Sequence, residues 1–324
     1  MTPSPSKLDT LLDSSILLGF SKVGAGVRRL PAVSTSMADK RVVITGATGG
    51  IGKAAAEGMG RLGAEVVLVG RNPDKLETAA TEVSRVGGIP ITEVADLSLM
   101  ADVVALAGRL SSRFHHIDVL VNNVGILHPE RQTTPEGLEA TLATNLLGQF
   151  ILTNHLASTL ASAPHPARII TVSSGGMYTA RLSVDDLQTT RSYKGSVAYA
   201  RTKRAQVVLT EMWAERFAAR GIVAHSMHPG WADTSGVSHS LPTFAKLTAP
   251  ILRTPEQGAD TIVWLAADPE PAGVTGLFWH DRAPRPTHRL RSTRERPGER
   301  ERLWDALESL TSAFEVPTTD PTIR

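Results

Sequence analysis

The sequence predicts an α/β fold in which a single doubly wound parallel sheet is flanked by helices. Short apolar runs rich in Val and Ile recur along the chain, and segments with helical spacing separate them. The first run, at residues 41–45, leads into a glycine-rich turn and then into a helix-forming segment. This alternation is typical of parallel sheets, because a crossover helix returns the chain to the start of the next strand.

Seven segments carry the strand signal. We expect strands at residues 41–45, 65–69, 91–95, 117–121, 168–172, 223–227 and 276–280. We therefore divide the chain into an N-terminal helical extension at 1–38, a sheet domain at 39–281 with an irregular loop at 235–253, and a basic C-terminal arm and helix at 282–324. Arginines alternate with prolines in the arm, which is typical of a solvated or salt-bridged segment.

Composition excludes several classes of function. The 324 residues carry a net charge of only +2, so we expect no nucleic-acid partner. The absence of cysteine excludes disulfides and cysteine-ligated metal, and it fits a reducing, cytoplasmic location. The histidines show no ligand spacing, so we expect no metal. No run approaches the ~20 apolar residues that a membrane-spanning helix needs.

The N-terminal segment has an apolar face of its own. Leu8, Leu11, Leu12, Ile16 and Phe20 recur at helical spacing, which predicts an amphipathic helix over residues 7–20. Three packing partners are open for this face: its own domain, a partner subunit, or a membrane surface in a peripheral contact.

The turn after the first strand predicts an anion site. Backbone N–H groups and the positive end of the following helix attract a phosphate or pyrophosphate there. Thr48 stands where the usual dinucleotide fingerprint has its second glycine. The candidate residues of this Rossmann-type site are Gly46, Thr48, Gly49, Gly50, Ile51 and Gly52.

The end of the second strand indicates which dinucleotide binds. In a doubly wound fold an acidic residue here binds the 2′-hydroxyl of the adenosine ribose, and an arginine accommodates a 2′-phosphate. This chain has Arg71 and Asn72 and lacks the acid, which favours NADP(H) over NAD(H). The alternative is a solvated arginine in a helix-capping loop.

Several motifs then follow in a fixed order. They are T-G-x-x-x-G-I-G at 45–52, Asn122-Asn123-Val124-Gly125, Asn145, Ser174, Tyr199 with Lys203, and Pro229-Gly230. This ordered set resembles the short-chain dehydrogenase/reductase family over about residues 39–280, with Val124 in place of the family's alanine. Within the family, the segments 171–177, 206–211 and 226–234 are similar to the member 12 group.

The resemblance implies a catalytic set of Asn145, Ser174, Tyr199 and Lys203. Tyr199 and Lys203 are spaced i, i+4, so a helix places them on one face. Tyr199 then acts as general acid/base, Lys203 lowers the phenol's pKa and binds the nicotinamide ribose, Ser174 binds the carbonyl oxygen, and Asn145 holds a relay water. Ser173 is the less favoured serine.

The resemblance also implies further cofactor contacts. Asp96 and Leu97 lie against the adenine, although Asp96 also suits a helix cap. Asn123, Val124 and Gly125 lie at the cofactor, and the asparagines bridge neighbouring strand ends. Pro229, Gly230, Trp231 and Thr234 contact its nicotinamide end, and the loop at 235–253 binds the substrate. The interval between Ser174 and Tyr199 is longer than in the family, so residues 177–194 read as an insertion beside the substrate pocket.

These expectations predict an NADP(H)-dependent oxidoreductase that interconverts a carbonyl and an alcohol on a small, apolar substrate. Two alternatives stay open: a catalytically idle NADP(H) sensor or scaffold, and a nucleotide-sugar epimerase or dehydratase, because 46, 49 and 52 also satisfy G-x-x-G-x-x-G. Family habit suggests a homo-oligomer through helices that include the Tyr199 helix, unless the terminal segments cover that face.

Overall fold

The structure is a computed structural model that describes residues 19–28, 30–231 and 252–314. Most of the predicted 7–20 helix, Thr234 and most of the 235–253 loop lie outside these residues. None of the described helices is both long and apolar enough to cross a membrane. Within the same residues, no group of three His, Asp or Glu side chains is arranged to hold a metal ion.

One eight-stranded sheet organises the described chain. Its strands are β1 Arg41–Thr45, β2 Glu65–Gly70, β3 Ile89–Val94, β4 Val119–Asn122, β5 Ala167–Val172, β6 Ile222–Met227, β7 Phe278–His280 and β8 Ala283–Arg285. Their spatial order is β3-β2-β1-β4-β5-β6-β7-β8, and every neighbouring pair is parallel except β7 with β8. The order reverses between β1 and β4, which opens a crevice at their carboxyl ends.

Helices cover both faces of the sheet. They are α1 Lys22–Arg28, α2 Gly50–Arg61, α3 Pro73–Arg85, α4 Met100–Arg113, α5 Ala140–Leu142, α6 Gly148–His155, α7 Ala157–Ala161, α8 Gly195–Phe217, α9 Pro255–Ala267 and α10 Glu299–Thr311. A π-helical turn, Ala143–Leu147, joins α5 to α6.

Alternating side chains of the strands supply two cores. In β1, Val43 packs with residues of α4, α6, α8 and α10, whereas Val42 and Ile44 pack with residues of α2, α3 and α9 on the other face. The period of two in a strand produces this division. Both faces are therefore buried, which explains why the strands read as continuous apolar runs.

All seven predicted strands are present, with ends that differ by at most two residues. The eighth strand, β8, has the sequence Ala-Pro-Arg, which lacks the β-branched signal. Its proline is tolerated because β8 is an edge strand. The helix that precedes Asn145 begins only at Ala140, because Gly137 has a φ of 82° and Thr133 forms a bridge with Glu139.

The C-terminal segment differs from a solvated arm. Leu303, Trp304 and Leu307 of α10 are buried in the same core as α8, and the Trp304 ring meets the edge of Phe150 at 5.0 Å. The expected ion pairs do occur, for example from Arg282 to Asp260 at 2.5 Å. The segment thus packs as part of the sheet domain.

Candidate functional site

The glycine turn after β1 has the form of an anion cradle. Gly46 and Gly50 have φ angles of 67° and 52°, which favour glycine. A Cβ at Gly52 would collide with the Gly46 carbonyl oxygen and the Asn123 amide. No side chain among the described residues caps the start of α2 at Gly49. The first N–H groups of α2 are therefore available to an anion.

A hydroxyl joins the ends of β1 and β4. Thr45 Oγ1 accepts from the backbone N–H groups of Asn123 at 2.9 Å and Val124 at 3.1 Å. The Asn123 amide donates to the Thr45 carbonyl at 2.8 Å, so this asparagine bridges the strand ends as we expect. Asn122 instead donates to the Thr153 hydroxyl on α6 at 2.9 Å. Together these bonds fix the turn that leads to Gly125.

The end of β2 lies against the glycine turn. A Cβ at Gly70 would lie 2.7 Å from the Thr48 methyl group. Arg71 follows and is exposed, whereas the Asn72 side chain caps α3 by accepting from Lys75 N–H at 2.9 Å. The capping role thus belongs to Asn72, and Arg71 directly follows the glycine that packs against Thr48 of the cradle.

Asp96 and Leu97 occupy the loop after β3. The Asp96 carboxylate accepts from the N–H and the hydroxyl of Ser98, at 2.9 and 2.7 Å, so it stabilises its own loop. The cap of α4 that we considered for Asp96 comes from Glu136, which accepts from Met100 N–H at 2.7 Å and from Ala101 N–H at 3.0 Å. Sequence spacing did not reveal Glu136, because it reaches α4 from a distant loop.

The structure brings the predicted catalytic side chains together at the carboxyl ends of β4 and β5. Lys203 Nζ lies 5.4 Å from the centre of the Tyr199 ring and donates to the Val172 carbonyl at 2.9 Å. The Ser174 hydroxyl lies close enough to the Tyr199 phenol to oppose the rise that burial causes in the phenol's pKa. Ser173 instead donates to the Lys203 carbonyl at 2.8 Å and is buried, so its role is structural.

Burial dominates the electrostatics of this pair. It raises the pKa of the Tyr199 phenol above its ordinary value, and the hydrogen bond with Ser174 opposes the rise. It lowers the pKa of the Lys203 ammonium to about 7. The side chain of Lys203 is only 2% exposed. Its charge therefore depends on the acceptors around it.

Gly125 and Asn145 border the Lys203 ammonium. A Cβ at Gly125 would lie 3.0 Å from Nζ, so the absent side chain leaves room for the ammonium. The Asn145 amide donates to the Ile126 carbonyl at 3.0 Å and to the Thr202 hydroxyl at 3.1 Å, and its oxygen accepts from Ile126 N–H at 2.8 Å. Asn145 lies in the π-helical turn, a feature that is common at functional sites.

Two glutamines lock this arrangement, and we did not expect either. The Gln206 amide donates to the Asn145 carbonyl at 2.7 Å and to the Gln149 side-chain oxygen at 2.8 Å. The Gln149 amide donates in turn to the Val124 carbonyl at 3.1 Å. The i, i+3 spacing of Gln206 from Lys203 is the sequence signal that could have identified it.

Comparison with known proteins identifies the family. A model described as short chain dehydrogenase matches residues 40–243. The chain belongs to the short-chain dehydrogenase/reductase family. It is therefore an oxidoreductase of a family that binds a nicotinamide cofactor and acts on small molecules. The resemblance on which we relied in the sequence is confirmed.

Individual relatives cover most of the chain. It is 42% identical over 277 residues to Dehydrogenase/reductase SDR family member 12 of Bos taurus, covering 84% of this chain and 86% of the relative. It is 33% identical over 267 residues to Retinol dehydrogenase 14 of Homo sapiens, covering 76% and 79%. The resemblance to the member 12 group is thereby confirmed.

Solved structures share the fold. The RhlG/NADP complex of Pseudomonas aeruginosa has a TM-score of 0.62 at 25% identity and covers 75% of this chain and 94% of that one. A 3-ketoacyl-(acyl-carrier-protein) reductase of Brucella melitensis complexed with NADH has a TM-score of 0.61 at 26% identity, with 75% and 96% covered. Members of the fold thus hold either cofactor.

The segment 177–194, which we predict to be an insertion, is anchored at both ends. Arg204, which is fully buried, donates to the carbonyls of Met177 at 3.1 Å and Ala180 at 3.2 Å, and to that of Thr287 in the C-terminal segment at 2.8 Å. At the other end the Tyr193 hydroxyl donates to the His128 carbonyl at 3.1 Å. The insertion therefore packs between α8, the C-terminal segment and the loop after β4.

A second buried arginine lies at the nicotinamide-side turn, our name for residues 228–231, which we predict to contact the nicotinamide end of the cofactor. Gly230 has a φ of 76°, and Trp231 N–H donates to the Phe20 carbonyl at 2.8 Å. The Arg253 guanidinium pairs with Asp281 at 2.5 Å and donates to the carbonyls of Gly19 at 2.8 Å and Phe20 at 3.1 Å. This ion pair therefore joins the N-terminal segment to the end of the sheet.

His280 packs inside this cluster as a neutral ring. Its Nδ1 lies 3.1 Å from the His228 carbonyl, and its Nε2 lies 3.1 Å from the Gly19 carbonyl and 3.4 Å from the Arg253 guanidinium. Burial, together with the Arg253 charge, lowers its pKa to about 4, although Asp281 opposes the change. The His228 ring stacks on it at 3.9 Å, and burial also lowers the pKa of His228 well below the ordinary value.

Acidification should weaken the fold through this cluster. The unfolded His280 binds a proton near pH ~6.5, whereas the folded one binds it near 4. Between these values the unfolded chain holds more protons, so the free energy of unfolding falls as pH falls, by up to about 3 kcal/mol. Asp281, whose pKa is lowered, adds a further loss below the ordinary titration range of a carboxylate.

Urea unfolding at several pH values between 7.5 and 4.5 measures this slope. His280→Gln should flatten the slope without abolishing it, since His228 titrates in the same direction. His165→Gln, at an exposed histidine, is the control and should leave the slope unchanged. Equal slopes in the wild type and His280→Gln would contradict the neutral ring.

Proposed function

We propose that the chain is an NADP(H)-dependent oxidoreductase that interconverts a carbonyl and an alcohol, with Tyr199 as general acid/base. The observation that carries this proposal is the convergence of Ser174, Tyr199 and Lys203 at the crevice that the anion cradle also borders. A nucleotide-binding scaffold needs the cradle alone, whereas general acid catalysis needs the proton donor, its charged neighbour and a group to orient the substrate.

The residues present fit a nicotinamide dinucleotide. The uncapped start of α2 suits its pyrophosphate. The Lys203 ammonium has three donors, and the Val172 carbonyl accepts from it, which leaves donors for ribose hydroxyls. When bound, this cofactor supplies or accepts a hydride at C4 of the nicotinamide. Arg71, exposed beside the cradle, favours the 2′-phosphate of NADP(H).

The proton step belongs to Tyr199. During reduction the phenol donates its proton to the developing alkoxide, and the Ser174 hydroxyl donates a hydrogen bond to the same oxygen. Because burial raises the phenol's pKa, the tyrosine is fully protonated and ready to act as an acid near neutral pH. The phenolate that remains is stabilised by the Lys203 ammonium, which its negative charge in turn keeps protonated.

Reprotonation of Tyr199 requires a path to solvent. The side chain of Asn145 is committed to Ile126 and Thr202, and its carbonyl accepts from Gln206. A carbonyl oxygen has a second lone pair. We propose that a relay water, hydrogen-bonded to this carbonyl and to Lys203, passes a proton from solvent to Lys203, which in turn reprotonates the Tyr199 phenolate.

The substrate proposed here is small and apolar. Trp231, which is half-buried, gives the nicotinamide-side turn an apolar side chain. A relative named for retinol, an apolar alcohol, supports the same class of substrate.

Replacing Tyr199 by Phe should separate catalysis from cofactor binding. We expect turnover of ketones or aldehydes, followed by NADPH absorbance, to fall by about 100- to 10,000-fold, because the proton donor is lost. NADPH affinity, measured by fluorescence, should change little. Tyr193→Phe is the matched control, since Tyr193 packs against the His128 carbonyl outside the catalytic group.

Retained turnover in Tyr199→Phe would contradict the role of the phenol. NADPH binding by the wild type with no turnover across the panel would favour the idle sensor or scaffold. Turnover of nucleotide sugars alone would favour the epimerase or dehydratase.

Arg71→Ala tests the cofactor preference. Loss of a charged hydrogen bond to the 2′-phosphate should raise the KM for NADPH by about 10- to 100-fold and leave that for NADH nearly unchanged. Arg85→Ala, in the exposed last turn of α3, is the control. An equal rise for both cofactors would contradict recognition of the 2′-phosphate by Arg71.

A further inference from the structure

Phe20, from the N-terminal segment, packs directly on the turn that carries the catalytic serine. The ring is 2% exposed. A Cβ at Gly175, the residue after Ser174, would lie 2.7 Å from one edge carbon of this ring and 3.2 Å from the next. Such a close approach is possible only because residue 175 is glycine. The ring therefore limits how near Ser174 can move toward the N-terminal segment.

The Ser174 turn has a short backbone frame of its own. Ser174 is extended, its hydroxyl accepts from Gly176 N–H at 3.2 Å, and its carbonyl accepts from Met177 N–H at 3.1 Å. These bonds lie within residues 174–177 and set the shape of the turn. Two further bonds tie the ends of the turn to α8, which carries Tyr199: Ser173 donates to the Lys203 carbonyl at 2.8 Å, and Arg204 donates to the Met177 carbonyl at 3.1 Å. Between these ends, the Phe20 ring is what Gly175 packs against.

The main chain of Phe20 is held on the opposite side of the site. Its carbonyl accepts from Trp231 N–H at 2.8 Å and from Arg253 Nε at 3.1 Å. A Cβ at Gly230 would lie 2.7 Å from this carbonyl oxygen. Phe20 therefore touches the serine turn with its ring and the nicotinamide-side turn with its backbone.

Neighbouring rings hold the Phe20 ring in place. His228 and His280 meet it edge to face, at centre distances of 4.3 and 5.2 Å, and Trp231 does so at 6.2 Å. The Arg253–Asp281 ion pair lies immediately behind. Aromatic rings in such contacts have few alternative positions in a packed interior.

We infer that Phe20 is a positioning residue, whose ring sets the Ser174 hydroxyl at its distance from the Tyr199 phenol and whose carbonyl fixes the Trp231 turn. This inference rests on the proposed function. It makes the N-terminal segment part of the catalytic centre. Phe20 acts through Ser174 and does not touch the reacting atoms.

A pair of complementary substitutions in the full chain tests the inference. Gly175→Ala adds a methyl group against the Phe20 ring and should displace the serine turn, lowering kcat at least tenfold with little change in the KM for NADPH. Gly175 does not have a positive φ, and the nearest atoms that an added methyl group would meet all belong to the Phe20 ring. Phe20→Ala/Gly175→Ala, which removes the obstructing ring, should recover part of the kcat that Gly175→Ala loses.

Two further variants guard against simple instability. Phe20→Leu keeps an apolar side chain, and it replaces the double variant or Phe20→Ala in the test if either does not fold. It should lower kcat several-fold. Phe114→Leu is the matched control, because Phe114 is a buried phenylalanine after α4, far from Ser174 in the fold, and its replacement should leave kcat unchanged. If the kcat of the double variant falls by the product of the two single-variant factors, with no recovery, the inference is overturned.

A signal independent of turnover separates this inference from the proposed function. The chain has three tyrosines, so ring-labelled protein gives few ¹³C signals, and Tyr199→Phe assigns the one needed. Gly175→Ala and Phe20→Leu should shift the Tyr199 signal in the direction that Ser174→Ala does, whereas Phe114→Leu should not. An unshifted signal would overturn the positioning role. A shifted signal in a protein without turnover would refute only the proposed function.

Discussion

The buried ammonium of Lys203 is the interaction on which the arrangement of the site depends. It joins α8 to the last carbonyl of β5, and it occupies the space that Gly125 leaves open beside Asn145. Three elements far apart in sequence must therefore end at one point. A buried cation is costly unless its donors are satisfied, and burial already lowers its pKa to about 7. Ribose hydroxyls would supply hydrogen-bond acceptors to the ammonium, and a phenolate would supply a negative charge. Cofactor binding and proton transfer would then be coupled through Lys203.

Segments outside the family's core are held by the same device, a buried cation surrounded by carbonyls. Arg204 binds carbonyls of the insertion and of the C-terminal segment, directly after Lys203 in sequence. Arg253 binds carbonyls of the N-terminal segment and pairs with Asp281. Guanidinium groups suit this task because their five donors spread in a plane. The terminal segments are consequently tied to the strand ends where the site lies.

Local signals carried most of what could be predicted. Strands buried on both faces leave apolar runs, and the seven strands with this pattern could be predicted from it. The motif residues with short-range constraints, such as Asn123 and Gly125, could be read in the same way.

Long-range partners could not be read from the sequence. Nothing near Phe20 indicates that it packs on Gly175, and nothing near Arg253 indicates that it pairs with Asp281, because only the fold brings them together. The edge strand β8 was missed since proline and arginine weaken its pattern. The role of Thr234, the oligomeric state and the cytoplasmic location stay predictions.

Transfer of a labelled hydride tests the central claim most directly. The full chain would be incubated with NADPH carrying deuterium at C4, in each stereochemical form, and a panel of apolar ketones and aldehydes, and the products examined by mass spectrometry. The proposed function predicts that one form of the cofactor delivers one deuterium to the carbinol carbon, and that Tyr199→Phe abolishes this product. Unlabelled products, or labelled alcohol formed equally by Tyr199→Phe, would contradict it.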